Sequence, residues 1–193
     1  MSLPDREKTG VTRLLGRTAL YGLVASLALV SACTVRPLYS NAPLTAGSTV
    51  GAAAELASIS VKPVKTRYAQ QVRNNLIFGF GQGSGEPATP AYILDLGVTE
   101  LVESAALVQI QTDEDEPTAG TVTLTSSYVL TDASTGAVIA TGKRSVPSSF
   151  DRPRQEYASY RAQLDAENRA ARELAELLRL SVAQDLIKHG KKA

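Results

Sequence analysis

From residue 154 to residue 188 the chain runs without a glycine or a proline, and Gly190 is the first to interrupt it. Within this stretch Tyr157, Tyr160, Leu164, Ala171, Leu174, Leu178 and Val182 recur at three- and four-residue steps, while Glu and Arg fill the other positions. Such steps place side chains on one face of an α-helix, whose interior tolerates glycine and proline poorly. One long amphipathic helix is therefore predicted. The stripe is one helix long and leans on alanine, which suits packing against a domain better than a coiled coil.

The middle third is patterned for strands. Tyr92, Leu94, Leu96 and Val98 alternate with Ile93, Asp95 and Gly97, and a second stretch covers residues 105–112. The acidic run 113–116, followed by Pro117, breaks the pattern and reads as a solvated tip. Alternation resumes over 121–131, with Val122, Leu124 and Tyr128 on one face and Thr121, Thr123 and Thr125 on the other. Residues 132–136 read as a turn and 137–146 as the next strand. Short links between successive strands predict an antiparallel meander.

Upstream, Leu56, Ile59, Val61 and Val64 mark a short strand ending near Pro63. A helix is predicted over 67–80, because Tyr68, Val72, Leu76 and Phe80 are spaced by four. The glycines at 79, 81, 83 and 85 stop it, and Pro87 and Pro90 close a flexible loop. The order β-α-β-β-β-α predicts an α+β two-layer sandwich. Its four-stranded, mainly antiparallel sheet would carry two helices on one face. The threonine-rich opposite face would be solvated or would meet a partner. Residues 56–189 form this single domain, and 190–193 are a basic tail.

The N-terminus is organised differently. Residues 1–18 hold Arg6, Lys8, Arg13 and Arg17 against Asp5 and Glu7; residues 19–30 are uncharged and mostly apolar; Ser31-Ala32 then precede the only cysteine, Cys33. That layout is a secretory signal over residues 1–32. The apolar run is well short of the roughly 20 residues a spanning helix needs. Val30-Ser31-Ala32-Cys33 resembles the lipobox of bacterial lipoproteins, which implies cleavage before Cys33 and an N-acyl diacylglyceryl lipid on that residue. Two or three acyl chains hold a protein on a membrane where one does so only marginally. Residues 33–55, rich in Ala, Gly, Ser, Thr and Pro, read as a flexible tether from lipid to domain. Thr34 is non-acidic, which in such lipoproteins goes with transfer to the outer membrane.

Processing leaves 161 of the 193 residues, enough for one modest domain. The leader holds four of the 20 bases and two of the 19 acids, leaving 16 against 17 and a net charge of about −1. No clustered basic face points to nucleic acid. With Cys33 acylated there is no thiol for a disulfide or a thiolate metal site.

The sequence also offers no catalytic set. The sole histidine, His189, sits in a lysine-rich tail, so no Ser-His-Asp or Cys-His arrangement can be assembled. The acidic run 113–116 lacks the spaced ligands and internal glycine of a calcium loop. The glycine series is not followed by Lys-Ser/Thr and does not open a helix after a strand, so it is no phosphate loop. No enzyme activity, metal or cofactor is expected. A periplasmic hydrolase would need a pocket of convergent polar groups.

After the acylated position stands Thr34-Val35-Arg36-Pro37-Leu38-Tyr39. A cysteine followed closely by Arg36, Pro37, Leu38 and Tyr39 resembles the mature start of LptE-type lipopolysaccharide-assembly lipoproteins of alphaproteobacteria. Ser149-Phe150-Asp151 leading into an Ala/Arg/Leu-rich final helix, with Tyr157-Ala158, Asp165-Ala166, Arg169-Ala170-Ala171 and Glu173-Leu174-Ala175, resembles the family's closing segment. The resemblance covers essentially the whole mature chain. It implies a non-catalytic lipoprotein at the periplasmic face of the outer membrane. Such a protein plugs and helps assemble an LptD-type β-barrel and assists lipopolysaccharide delivery to the outer leaflet. If lipid phosphates are contacted, Lys143 and Arg144 on the last strand, with Lys62, Lys65 and Arg67 near the first, are the candidates, since arginine grips phosphate bidentately and lysine as a point charge. The competing expectation is an auxiliary lipoprotein of an ABC-type envelope lipid transporter.

Overall fold

The alternating positions of the middle third become three long strands in the computed structural model, which describes residues 51–107 and 117–189. The signal sequence, Cys33, Arg36 to Tyr39, residues 108–116 with the acidic run, and the basic tail lie outside the described residues. The elements are α1 (Ala52–Ala57), β1 (Ile59–Val61), α2 (Arg67–Gly81), β2 (Tyr92–Leu107), β3 (Pro117–Asp132), β4 (Val138–Asp151) and α3 (Glu156–His189). They form an α+β sandwich whose four strands lie in the order β1-β2-β3-β4. The sheet is mixed. β1 pairs parallel to β2 through the α2 crossover, and the other two pairings are antiparallel.

Period-two patterning decides which face is buried. Leu94 and Leu96 of β2, Val122, Leu124, Tyr128 and Leu130 of β3, and Val146 and Phe150 of β4 are buried under the helices. Val72, Leu76 and Phe80 of α2 meet them, as the four-residue spacing requires. From α3, Leu174, Leu178, Val182 and Leu186 enter the core among Ala166, Ala170, Ala171, Ala175 and Ala183. The small alanines let the helix axis approach the sheet, and each fully buried leucine or valine contributes roughly 1.5–3 kcal/mol.

Three features differ from the sequence reading. The stretch read as the end of the tether and the start of a strand contains α1, which buries Ala52, Ala53 and Leu56. Alanine is the best helix former, so Ala52-Ala53-Ala54 favours a helical turn and confines the strand to Ile59–Val61. β4 continues past Val146 to Asp151, so Ser149-Phe150-Asp151 is strand. Its Pro147 is acceptable because β4 is an edge strand. Finally, Tyr157 and Tyr160 are exposed and leave the apolar stripe of α3. The cause is the length of α2. Its first residue, Arg67, is level with Glu167, to which it donates a 2.6 Å hydrogen bond. The more N-terminal turns of α3 have no α2 beside them.

The loop after α2 is tied down. Glu86 accepts hydrogen bonds from the Val61 N–H at 2.9 Å and the Ser60 hydroxyl at 3.2 Å. Arg73 donates to the other oxygen of Glu86 at 2.6 Å and, through Nε, to the Val61 and Lys62 carbonyls. One carboxylate and one guanidinium thus fasten the glycine-rich loop to β1.

Candidate interaction surface

The face of the sheet away from the helices is polar, as the alternation requires. On β3 it presents Thr121, Thr123, Thr125, Ser127, Val129 and Thr131, flanked by Thr99 and Leu101 of β2 and Ser145 and Ser149 of β4. Many of these hydroxyls are satisfied within the face. Thr121 and Ser149 lie 3.3 Å apart and Thr125 and Ser145 2.9 Å, while Thr131 donates to the Ile93 carbonyl at 3.2 Å. Cross-strand hydroxyl pairs of this kind hold register. They also leave a hydrogen-bonding face with few charges, Asp95, Glu103 and Lys143 among them.

The five cations singled out for phosphate contact do not converge. Lys62 and Arg67 belong to the β1 side and Lys143 and Arg144 to β4 at the opposite edge, about 14 Å apart at the usual strand spacing. Alternation also sends Lys143 to the open face and Arg144 to the helix side. Lys62 forms a 2.7 Å ion pair with Asp95, and Arg67 donates to Glu167 and, at 2.9 Å, to Asn168. Lys65 is exposed in the link between β1 and α2. No single anion cradle is formed by these residues.

Two polar clusters are not evident from the sequence pattern. In the first, Glu100 of β2 lies beside Glu167 of α3 under Arg67. Glu100 Oε1 is buried without a hydrogen-bond partner. Burial first, and the adjacent Glu167 charge second, raise the Glu100 pKa, against a smaller opposing effect of Arg67. A signal for this cluster is present, because Glu167 occupies a stripe position between Leu164 and Ala171 where an apolar residue is expected. In the second, Arg169 bonds Asp165 and donates to the Ser149 carbonyl at 2.7 Å. These side chains line a cavity of about 320 Å³ with Ala119, Phe150, Asp151 and Ala162. The Arg169 guanidinium is paired with the Asp165 carboxylate. Among the described residues no group of three or more His, Cys, Asp or Glu side chains could hold a metal, and no helix is long and apolar enough to cross a membrane.

The fold is an α+β sandwich with a polar-faced, four-stranded mixed sheet and a short parallel edge strand. The structure matches a candidate lipoprotein of Caulobacter crescentus CB15 with a TM-score of 0.56 and 24% identity, covering 69% of this chain and 93% of that one. It also matches rare lipoprotein B of Shewanella oneidensis with a TM-score of 0.50 and 12% identity, covering 67% of this chain and 95% of that one. At these identities the likeness is one of fold. No family model matches the chain, and no curated protein matches it in sequence.

Proposed function

We propose that this protein is a lipid-anchored, non-catalytic subunit that plugs and helps assemble an LptD-type outer-membrane β-barrel and assists lipopolysaccharide delivery to the outer leaflet. The observation that carries the reading is the fold match with rare lipoprotein B, over 95% of that chain and 67% of this one. The cysteine-led Arg36-Pro37-Leu38-Tyr39 start supports it. Physical chemistry agrees. A barrel lumen is polar, and the open sheet face offers threonine and serine hydroxyls with few charges. The acyl chains on Cys33 would hold the domain at the periplasmic face while the sheet meets the lumen wall. With the five candidate cations dispersed, lipopolysaccharide phosphates would be met singly along the two sheet edges.

The test is a crosslinked, detergent-solubilised pull-down of the tagged lipoprotein followed by mass spectrometry. A stoichiometric LptD-type barrel is the expected outcome. Recovery of an inner-membrane ABC-type transporter in place of a barrel would overturn the reading.

A further inference from the structure

β2, α2 and α3 meet at three ionisable side chains. Glu100 lies on the helix-facing side of β2, in phase with the buried Leu94 and Leu96, and pairs across the sheet with the buried Leu124. Glu167 comes from α3 with its side chain 8% exposed, and Arg67 is the first residue of α2.

The hydrogen bonding of this cluster is complete only with an added proton. Arg67 donates through Nη1 to Glu167 at 2.6 Å and through Nη2 to Asn168 at 2.9 Å. Glu100 is within hydrogen-bonding reach of Glu167, yet its Oε1 is buried and receives no donor. Ionised carboxylates only accept, so two of them in contact bond only when one carries a proton. Glu167 already has a cation beside it, which leaves the proton to Glu100. The Glu100 pKa is raised in keeping with this, by burial first, then by the charge and hydrogen bond of Glu167, with Arg67 opposing.

Among the described residues no other charge bears on the pair. β3 presents Val122, Leu124 and Ser126 there, and β2 itself presents Val98 and Val102. α3 adds the buried Ala166, Ala170 and Ala171. β1 stops level with Leu94, and alternation places Asp95 and Glu103 on the open face.

The first turn of α2 depends on the cluster. Thr66 makes no side-chain cap, no acidic residue answers the helix dipole in that turn, and Arg67 brings a positive charge to it. The bonds from Arg67 to Glu167 and Asn168 are therefore its polar tie to α3. One turn further on, Val72 enters the core and Arg73 is fastened to Glu86 and the Val61 carbonyl, which confines any loosening to the turn before them.

We propose that Glu100, Glu167 and Arg67 form a proton-operated latch on the start of α2. With the proton on Glu100, its O–H donates to Glu167 and ties β2 to α3. When that proton passes to water, two carboxylates stand against each other under one guanidinium, Arg67 is drawn between them, and the first turn of α2 loosens. The latch is closed while Glu100 is protonated and opens as pH rises through its titration. It is a response of the fold itself to protons and does not depend on the barrel reading.

The experiment uses the purified, isotope-labelled mature lipoprotein in detergent. Carbon-detected NMR follows the Glu100 carboxyl carbon against pH, and amide hydrogen exchange, corrected for its intrinsic pH dependence, follows Gln70, Gln71 and Val72. Glu100 should titrate above the ordinary carboxylate range, and Glu167→Gln should bring it down toward that range. Protection at residues 70–72 should fall severalfold across the same titration while Leu76 stays protected. Glu100→Gln, which keeps the shape of the protonated side chain, should hold residues 70–72 protected at every pH. A Glu100 titration in the ordinary range, one unmoved by Glu167→Gln, or a loss of protection that persists in Glu100→Gln would overturn the latch.

Discussion

The phenol ring of Tyr128 fills the space over Gly142, its partner across β3 and β4, so closely that a Cβ at position 142 would stand 2.6 Å from the ring carbons and the hydroxyl oxygen. The same ring reaches into the helix layer, where its hydroxyl donates to Asp185 of α3 at 2.6 Å. One glycine on an edge strand thereby allows one tyrosine to couple sheet to helix. A second pair repeats the device at the other end, where a Cβ at Gly120 would come within 2.5 Å of the Phe150 ring.

Gly142→Ala is therefore expected to destabilise the protein by about 1–3 kcal/mol, the range for forcing an added carbon into a packed site. Tyr128→Phe should cost about 1–2 kcal/mol through the lost hydrogen bond to a carboxylate. If the mechanism is displacement of the tyrosine, the two costs are not additive, and a double-mutant cycle by urea denaturation will show the coupling. Full additivity would sink this account.

The same tyrosine gives an alkaline signature. Burial first, then the Asp185 bond and charge, push its pKa from 10.0 up to about 12. Between those values the folded state holds a proton that the unfolded state has released, so stability falls as pH rises. Thermal melts from pH 9 to 11.5 should steepen above pH 10 for the parent protein. Tyr128→Phe should lack this increment.

Glu100 makes the corresponding prediction on the acid side. Its raised pKa means that ionisation is disfavoured in the folded state. Its contribution is most favourable below the unfolded carboxyl pKa and is lost as pH rises through the folded value. Glu100→Gln keeps the shape without the charge, and should raise the melting temperature by a few degrees at pH 7 with a gain that shrinks toward pH 4. An equal gain at both pH values would mean that the charge is not the cause.

Glu86 runs in the opposite sense. Burial acts to raise its pKa, but the Val61 N–H and the Arg73 guanidinium outweigh it, and the net shift is downward. The stability it provides is present above the unfolded carboxyl pKa and is lost as pH falls through the lower folded value. Glu86→Gln and Arg73→Ala should each free the loop after α2, seen as faster limited proteolysis between residues 82 and 91 at pH 7. Unchanged cleavage rates in both variants would show that the fastening is incidental.

Most of the fold is legible in the sequence because period-two and four-residue spacings are dense in it. Val122, Leu124 and Tyr128, and Val72, Leu76 and Phe80, can each be assigned to a buried face from their spacing alone. What is not legible depends on contacts distant in sequence. Nothing local to Tyr157 or Tyr160 tells that α2 begins level with Glu167 and leaves them uncovered. Nothing in Lys62, Lys65, Arg67, Lys143 and Arg144 tells that they stand at opposite edges, since strand order comes from pairing. α1 is hidden for a different reason: three alanines in a Gly- and Thr-rich neighbourhood resemble a linker until Leu56 finds a core to enter.

Cys33 supports a prediction about place. Each buried methylene of an acyl chain contributes about 0.8 kcal/mol, so a diacylglyceryl group plus an N-acyl chain anchors a protein stably on a bilayer, while one chain does so only marginally. Cys33→Ala is expected to abolish lipid attachment, leave the leader uncut by the lipoprotein-specific peptidase, and remove the mature membrane-bound form. A variant in which residues 1–32 are replaced by a leader cut by ordinary signal peptidase should deliver the folded domain in soluble form. Metabolic labelling with an alkyne fatty acid and membrane fractionation read both outcomes. Label on the Cys33→Ala protein would place the lipid elsewhere and remove the lipobox assignment, whereas membrane retention of the unlabelled domain made with the ordinary, cleaved leader would point to contacts made by the domain itself.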